Sequence, residues 1–155
     1  MMPSILFING PNLNRLGQRE PEQYGLTSLE QIAEDCTALA KTLGLQVEFR
    51  QSNHEGVMLD WVHDAIDQFD GLIINAGAFT HSSVALFDAL KMLEKPAIEL
   101  HLSNIFARES FRHHSWLAPA VDGVICGFGA YGYRLALHAI HNILAQKSEQ
   151  SRELG

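Results

Sequence analysis

Glu99 and His101 are one pair of side chains whose types and spacing could carry out chemistry. They lie two residues apart in the apolar run AIELH at 97–101, which is typical of a strand, so both side chains project to one face. A carboxylate beside an imidazole orients the ring and stabilises the imidazolium, which suits His101 for protonating a leaving hydroxyl. The alternative interpretation is a structural histidine beside a solvated carboxylate.

Tyr24 is the second candidate, five residues after Arg19 in a stretch rich in glycine, proline and charge. A phenol ordinarily loses its proton near pH ~10, so it acts as a base at neutral pH only where a nearby cation stabilises the phenolate. Arg19 is the candidate cation, and closure of a loop over the pair would desolvate it. The alternative interpretation is a tyrosine that packs under a loop.

The arginines are unevenly distributed along an acidic chain. Four of them fall either after the first predicted strand or after the fourth, namely Arg15, Arg19, Arg108 and Arg112. Guanidinium groups bind carboxylate and phosphate, so this placement favours a small anionic substrate over solvated loop arginines. A net charge of -7 excludes a general electrostatic footprint for nucleic acid or an anionic membrane, and we predict neither as a partner.

The segment 127–132 matches the dinucleotide-binding pattern G-x-G-x-x-G. It follows the last predicted strand, so no later strand is left to carry the acidic residue that binds a ribose. A tight turn with close helix packing is therefore the favoured interpretation. A nucleotide- or small-ligand-binding module without catalysis remains the alternative function.

Histidines and lysines do not support metal or imine chemistry. His113 and His114 are adjacent, and His138 and His141 share a predicted helix with no Asp, Glu or Cys ligand nearby. No lysine falls at a predicted strand end, where a Schiff base would form. A catalytic zinc and an elimination through an imine are therefore both disfavoured.

Apolar runs and helical periodicities alternate along the chain. Strands are predicted at 5–8, 45–49, 71–74, 97–100 and 123–126, and helices from a capping box at 27–30 to Gly44, at 57–69, at 82–93 and at 132–147. Such apolar strands separated by helices predict a parallel sheet covered on both faces. The architecture is α/β, a flavodoxin-like three-layer sandwich with a five-stranded parallel sheet in the order 2-1-3-4-5.

The remaining features concern organisation and location. We predict one catalytic domain over residues 1–147 and a polar, frayed tail over 148–155. The aperiodic stretch from Gly10 to Leu26 is long for a loop and is predicted to be a lid. Cys36 and Cys126 lie in apolar patterns typical of free thiols, and no leader-like or membrane-spanning run is present, so we expect a cytoplasmic protein.

Ligands of such sheets bind beyond the carboxyl ends of the strands, and several separate motifs lie there. They are NGPNLN at 9–14, REPEQYG at 19–25, NAGAFTH at 75–81, HLSN at 101–104 and FRHH at 111–114. Together they resemble the type II 3-dehydroquinate dehydratases, and the similarity extends from about Ile5 to about Leu144. Arg15 and Phe106 depart from the family pattern, but neither is at a proton-transfer position.

The resemblance implies a hydro-lyase of the shikimate pathway that works without a cofactor. Tyr24 is expected to act as the base, Arg19 to stabilise its phenolate, Asn12 to support the enolate, and His101, oriented by Glu99, to act as the acid. The substrate-binding residues implied are Asn75, His81, Leu102, Ser103 and Arg112. Asp88 is expected to reach the site from a neighbouring subunit of a dodecamer built from trimers.

Overall fold

Five parallel strands form the centre of the molecule in a computed structural model that describes residues 2–154. The order β2-β1-β3-β4-β5 confirms the predicted architecture. The strands are β1 (Ser4–Asn9), β2 (Gln46–Gln51), β3 (Gly71–Asn75), β4 (Ala97–His101) and β5 (Gly123–Cys126). Each interior strand is one residue longer at its carboxyl end than predicted, and the added residues Asn9, Asn75 and His101 are polar but buried.

Besides the strands, residues 2–154 form five α-helices and five short 3-10 helices. The α-helices are α1 (Pro21–Tyr24), α2 (Leu29–Leu43), α3 (Glu55–Gln68), α4 (Val84–Lys91) and α5 (Tyr131–Leu154). The predicted capping box of Thr27 and Glu30 is wrong by one residue. Ser28 has the extended backbone of an N-cap, and its hydroxyl accepts the Gln31 N–H while the Gln31 side chain accepts the Ser28 N–H.

The last helix does not end near Lys147 as predicted but continues to Leu154. No glycine or proline interrupts residues 148–154, and Glu, Gln, Arg and Leu all have good helix propensity. These seven residues are exposed, so they extend the helix without adding to the core. That the catalytic domain ends at residue 147 stays a prediction.

The sheet separates two apolar cores. Ile5 and Phe7 project toward α2 and α5, whereas Leu6 and Ile8 project toward α3 and α4, as the two-residue period of a strand requires. All four side chains are fully buried, and burying each one contributes roughly 1.5–3 kcal/mol. Because both faces are covered, ligands can reach the sheet only at its ends.

The segment from Gly10 to Leu26 is more ordered than the predicted lid. It contains a 3-10 helix at Leu13–Arg15 as well as α1, and Leu13 and Leu16 are buried in the core beside α2 and α5. These two leucines anchor the first part of the segment to the core. Only residues 17–26, most of which are exposed, keep the character of a lid.

Gly10 holds the loop after β1 against the loop after β3. A Cβ atom at this position would lie 2.5 Å from the carbonyl oxygen of Ala76, so no larger residue fits without moving the backbone. The Gly10 N–H donates to the Asn75 carbonyl at 2.8 Å. The two loops that carry polar residues to the sheet end are thereby joined through their main chains.

Both cysteines are free, as predicted. Cys36 is buried in α2, and burial is the main reason why its pKa rises to about 12, with the charge of Asp35 adding to the effect. The thiol therefore packs as a small apolar group. Within residues 2–154, no helix combines the length and apolarity that crossing a bilayer requires.

Candidate active site

One cavity at the carboxyl ends of β1, β3 and β4 collects most of the predicted site residues. Nine of them line it: Asn12, Arg19, Tyr24, Asn75, His81, His101, Leu102, Ser103 and Arg112. Glu99 lies directly behind His101. Asp88 does not line the cavity of its own chain and is exposed on α4.

The His101 ring is held by a buried carboxylate, as the spacing on β4 predicted. His101 Nε2 lies 2.6 Å from Glu99 Oε2, and both residues are almost completely buried. With Nε2 engaged, Nδ1 is the ring nitrogen left to exchange a proton with a ligand. This is the geometry of an oriented general acid or base.

Ser115 completes this arrangement and was not identified from the sequence. Its hydroxyl accepts the N–H groups of Leu117 and Ala118 at 3.1 and 3.0 Å, so its proton is directed to Glu99 Oε1 at 2.7 Å. Both carboxylate oxygens of Glu99 therefore have partners. The only local signal was a serine before a proline-containing turn, which indicates a turn and gives no indication of a contact with β4.

Two guanidinium groups contact the Tyr24 ring. The Cζ atoms of Arg19 and Arg108 are 5.1 and 5.2 Å from the ring centroid. The Arg19 side chain is 43% exposed and that of Arg108 10%, so Arg108 is the less hydrated cation. Arg108 also donates to Ser103 Oγ at 3.2 Å. It lines the cavity and is therefore a site residue, whereas the sequence indicates only that it is one of four arginines near the sheet end.

His81 lines the cavity, and its hydrogen bonding fixes which ring nitrogen carries the proton. Its Nδ1 lies 2.8 Å from the carbonyl oxygen of His114, which can only accept, so Nδ1 carries the proton and Nε2 is the acceptor. Burial is the main reason why the pKa of His81 falls below its usual value, and the neighbouring His101 and Arg112 act in the same direction. A neutral His81 can therefore accept a hydrogen bond from a ligand hydroxyl.

The residues that line the cavity carry positive charge. They include Arg19, Arg108 and Arg112 but no aspartate or glutamate. Arg112 is held by Glu109, to which its Nε donates at 2.7 Å, and it still borders the cavity. In a chain with a net charge of -7, this local concentration of guanidinium groups favours a small anion as ligand.

Asn12 borders the same cavity with a left-handed backbone, with φ at 71°. Asparagine tolerates this conformation better than most residues. The Asn12 N–H donates to Asn53 Oδ1 at 2.9 Å, and Gln51 Nε2 donates to the same oxygen at 3.2 Å. Asn53, which lies after β2, is thus a second supporting residue that no sequence pattern indicates.

The glycine pattern at 127–132 forms a tight turn, as favoured above. Gly127 and Gly129 have positive φ, and the Gly129 N–H donates to the Leu102 carbonyl at 2.9 Å. A Cβ atom on Gly132 would lie 3.0 Å from Leu100 Cδ1, so this glycine allows α5 to pack closely on the sheet. In the described part of the chain, no three His, Cys, Asp or Glu side chains cluster as metal ligands would.

Comparison with known proteins agrees with this fold and identifies a family. The family model for dehydroquinase class II matches residues 3–141. A 3-dehydroquinate dehydratase of Rhizobium johnstonii is 56% identical over 145 residues, which cover 94% of this chain and 100% of the relative. The 3-dehydroquinate dehydratase 2 of Pseudomonas aeruginosa is 56% identical over 137 residues, which cover 88% of this chain and 93% of the relative.

Solved structures agree as well. The type II dehydroquinase of Propionibacterium acnes superposes with a TM-score of 0.88 at 46% identity, covering 92% of this chain and 98% of the other. The fold and the site thus define an α/β enzyme with a cationic cavity at the carboxyl end of its sheet. The chain belongs to the class II dehydroquinase family.

Proposed function

We propose that this chain is a hydro-lyase that converts 3-dehydroquinate into 3-dehydroshikimate in the shikimate pathway of aromatic amino acid and chorismate biosynthesis. Membership of the family and the names of the relatives support the reaction. The cationic cavity supports a carboxylate-bearing substrate. The elimination is anti and passes through an enolate.

Proton transfer is assigned to Tyr24 and His101. Tyr24 as phenolate takes the proton from C2, and the electron pair of the broken C–H bond forms the enolate. The C1–O bond then breaks as the C1=C2 double bond forms, and the leaving hydroxyl takes a proton from His101 and departs as water. Arg19 stabilises the phenolate, Glu99 orients His101, and Asn12 supports the enolate oxygen.

Substrate positioning is assigned to the other residues at the cavity. Arg112 and the backbone N–H groups of Leu102 and Ser103 bind the carboxylate and its neighbouring oxygens. His81 accepts from a substrate hydroxyl through Nε2, in agreement with its Nδ1–H bond to His114. Asn75 donates to a further substrate oxygen.

The assembly is assigned as a cytoplasmic homododecamer built from trimers, in which Asp88 of one subunit completes the site of its neighbour. The exposed position of Asp88, away from the cavity of its own chain, supports this role. Native mass spectrometry should give about twelve times the 17.2 kDa chain mass. A species at the mass of the single chain would contradict the assembly.

The observation that supports these roles most strongly is that Tyr24 and His101 line the same cavity, each with its expected partner. Arg19 contacts the Tyr24 ring and Glu99 contacts the His101 ring. The alternative, a flavodoxin-like module that binds a nucleotide without catalysis, is not favoured. Its glycine segment instead forms a turn that bonds to Leu102.

The reaction is tested by incubating the purified protein with 3-dehydroquinate and following the ultraviolet absorbance of the conjugated product. Turnover is expected, and its absence would overturn the assignment. A metal-assisted lyase is the second alternative. Activity that is lost on treatment with a chelator and restored by metal would favour that alternative, whereas the mechanism proposed above is indifferent to chelation.

A further inference from the structure

A chain of buried side-chain hydrogen bonds joins the first and third strands to the last helix. Tyr133 Oη lies 2.7 Å from Asn9 Oδ1 and 3.1 Å from Asn75 Nδ2. Asn9 Nδ2 lies 3.1 Å from the Arg50 carbonyl oxygen, and the Gly77 N–H lies 3.3 Å from Asn75 Oδ1. This series of hydrogen bonds thus begins at the main-chain carbonyl of Arg50 and ends at the main-chain N–H of Gly77.

The main-chain groups at the two ends determine the direction of every bond. The Arg50 carbonyl can only accept, so Asn9 turns its amide nitrogen toward it and its oxygen toward Tyr133. The Tyr133 hydroxyl must then donate to Asn9, which leaves its oxygen lone pairs for Asn75 Nδ2. Independently, the Gly77 N–H can only donate, so it requires the Asn75 oxygen on its own side. The two ends agree on one orientation of the Asn75 amide.

The surroundings hold the Tyr133 hydroxyl in place and keep it protonated. Tyr133, Asn9 and Asn75 are each at most 3% exposed, and the Tyr133 ring stacks with those of Phe7 and Phe49 at 6.0 and 6.2 Å. Burial is the main reason why the pKa of Tyr133 rises above its usual value. Tyr133 therefore stays a hydrogen-bond donor to Asn9 and does not compete as a base.

We propose that Tyr133 is a positioning residue that sets the orientation of the Asn75 amide toward the substrate. An amide nitrogen has two hydrogens, and the bond to Tyr133 uses one of them. The amide oxygen faces Gly77, so the polar group of Asn75 left for the cavity it lines is the second N–H. Asn75 thus presents a donor, which suits a substrate oxygen. This inference rests on the proposed function.

Removal of the hydroxyl alone tests the proposal. Tyr133→Phe keeps the stacked ring, releases Asn75 Nδ2 and is expected to raise KM for 3-dehydroquinate about five- to tenfold while kcat changes less than about threefold. The affinity for 3-dehydroquinate, measured by calorimetry in the inactive Tyr24→Phe background, should fall by the same factor. Tyr131→Phe, which removes an exposed hydroxyl two residues away on the same helix, is the matched control and should change neither quantity.

A double-mutant cycle separates positioning from general loosening of the core. In an Asn75→Ala background there is no amide to orient, so Tyr133→Phe should no longer raise KM. If Tyr133→Phe does not fold, Asn9→Ala provides the test, because it frees the hydroxyl from its acceptor and is expected to raise KM in the same way.

Two outcomes would overturn the inference while leaving the proposed function intact. One is a lower melting temperature of Tyr133→Phe with unchanged KM and affinity, and the other is a KM effect that persists without Asn75. A wild-type protein that neither binds nor turns over 3-dehydroquinate would overturn both proposals. The wild-type measurement therefore distinguishes the two kinds of failure.

Discussion

The two proton-transfer residues proposed for this site are held in very different ways. His101 stands at the end of an interior strand, is 5% exposed and lies 2.6 Å from a carboxylate whose second oxygen is bound by Ser115. Tyr24 ends a four-residue helix in an exposed segment, and its contacts include two guanidinium groups over its ring. We call these the strand side and the loop side of the site.

The difference shows which part of the site forms together with the fold. On the strand side, hydrogen bonds to buried groups orient the ring before any ligand arrives. On the loop side, the Arg19 side chain is 43% exposed, so its effect on Tyr24 depends on how completely residues 17–26 exclude water. Substitutions on the strand side should therefore lower both activity and stability, whereas substitutions on the loop side should lower activity alone.

Tyr24→Phe should have the largest effect on turnover and almost none on stability. Loss of the base is expected to lower kcat by about 10³-fold or more, while the affinity for 3-dehydroquinate changes only a few-fold. The urea midpoint should stay at the wild-type value because Phe keeps the aromatic ring and the side chain is only half-buried. Steady-state kinetics, calorimetry and urea denaturation measure the three quantities. Near-normal turnover would require another base.

Glu99→Gln should lower kcat by about 10²-fold, because the neutral amide no longer stabilises the imidazolium of His101. Unlike Tyr24→Phe, it should also lower the urea midpoint, since Glu99 is fully buried and its carboxylate oxygens bind both His101 and Ser115. Kinetics and denaturation on the same preparation provide the comparison. A loss of activity without any loss of stability would contradict the distinction between the two sides.

Ser115→Ala should have a smaller effect of the same kind. It removes one hydrogen bond to a carboxylate, and such bonds are worth about 1.5 kcal/mol or more, so kcat should fall roughly tenfold. Ser148→Ala, on the exposed end of α5, is the control and should match wild type. An unchanged kcat in Ser115→Ala would mean that Glu99 orients His101 without this support.

His81, in the 3-10 helix that follows β3, should give the smallest effect, a pH dependence of stability. Its pKa is lowered in the folded protein, mainly by burial, so the unfolded chain takes up a proton first as the pH falls below about 6.5. The contribution of His81 to stability is present above that pH and is lost as the pH falls toward the lower folded value.

Urea denaturation at pH 7.5 and pH 5.5 measures this difference. His81→Gln cannot take up the proton, so its midpoint should fall less between the two pH values than that of wild type. Other acid-sensitive groups are common to both proteins and cancel in the comparison. An equal fall in both would show that His81 does not contribute to acid sensitivity.

Most of the fold was predictable because its signals are local. Each strand was predicted to within two residues at either end, and Gly44, with φ at 71°, ends α2 where expected. The departures are also local in origin. The N-cap is Ser28 rather than Thr27, and α5 continues past Lys147 because no residue there interrupts a helix.

The site was predictable to the extent that its partners are close in sequence. Glu99 and His101 share a strand face, and Arg19 and Tyr24 share one short segment. Arg108, which contacts Tyr24 from 84 positions farther along the chain, and Ser115, 16 positions from Glu99, had no comparable signal. Their roles depend on which loops meet at the sheet end.

The sequence by itself determined the strand and helix periods, the cationic character of the sheet end and the pairing of Glu99 with His101. Each of these follows from residue type and from repeats of two or 3.6 residues. Only the tertiary structure decided that Arg108 contacts Tyr24, that Ser115 binds Glu99, and that Tyr133 lies between Asn9 and Asn75. Tyr133 and Asn75 are 58 positions apart, and they meet because α5 packs across the sheet. A contact of that kind depends on the packing of whole elements, which no local pattern encodes.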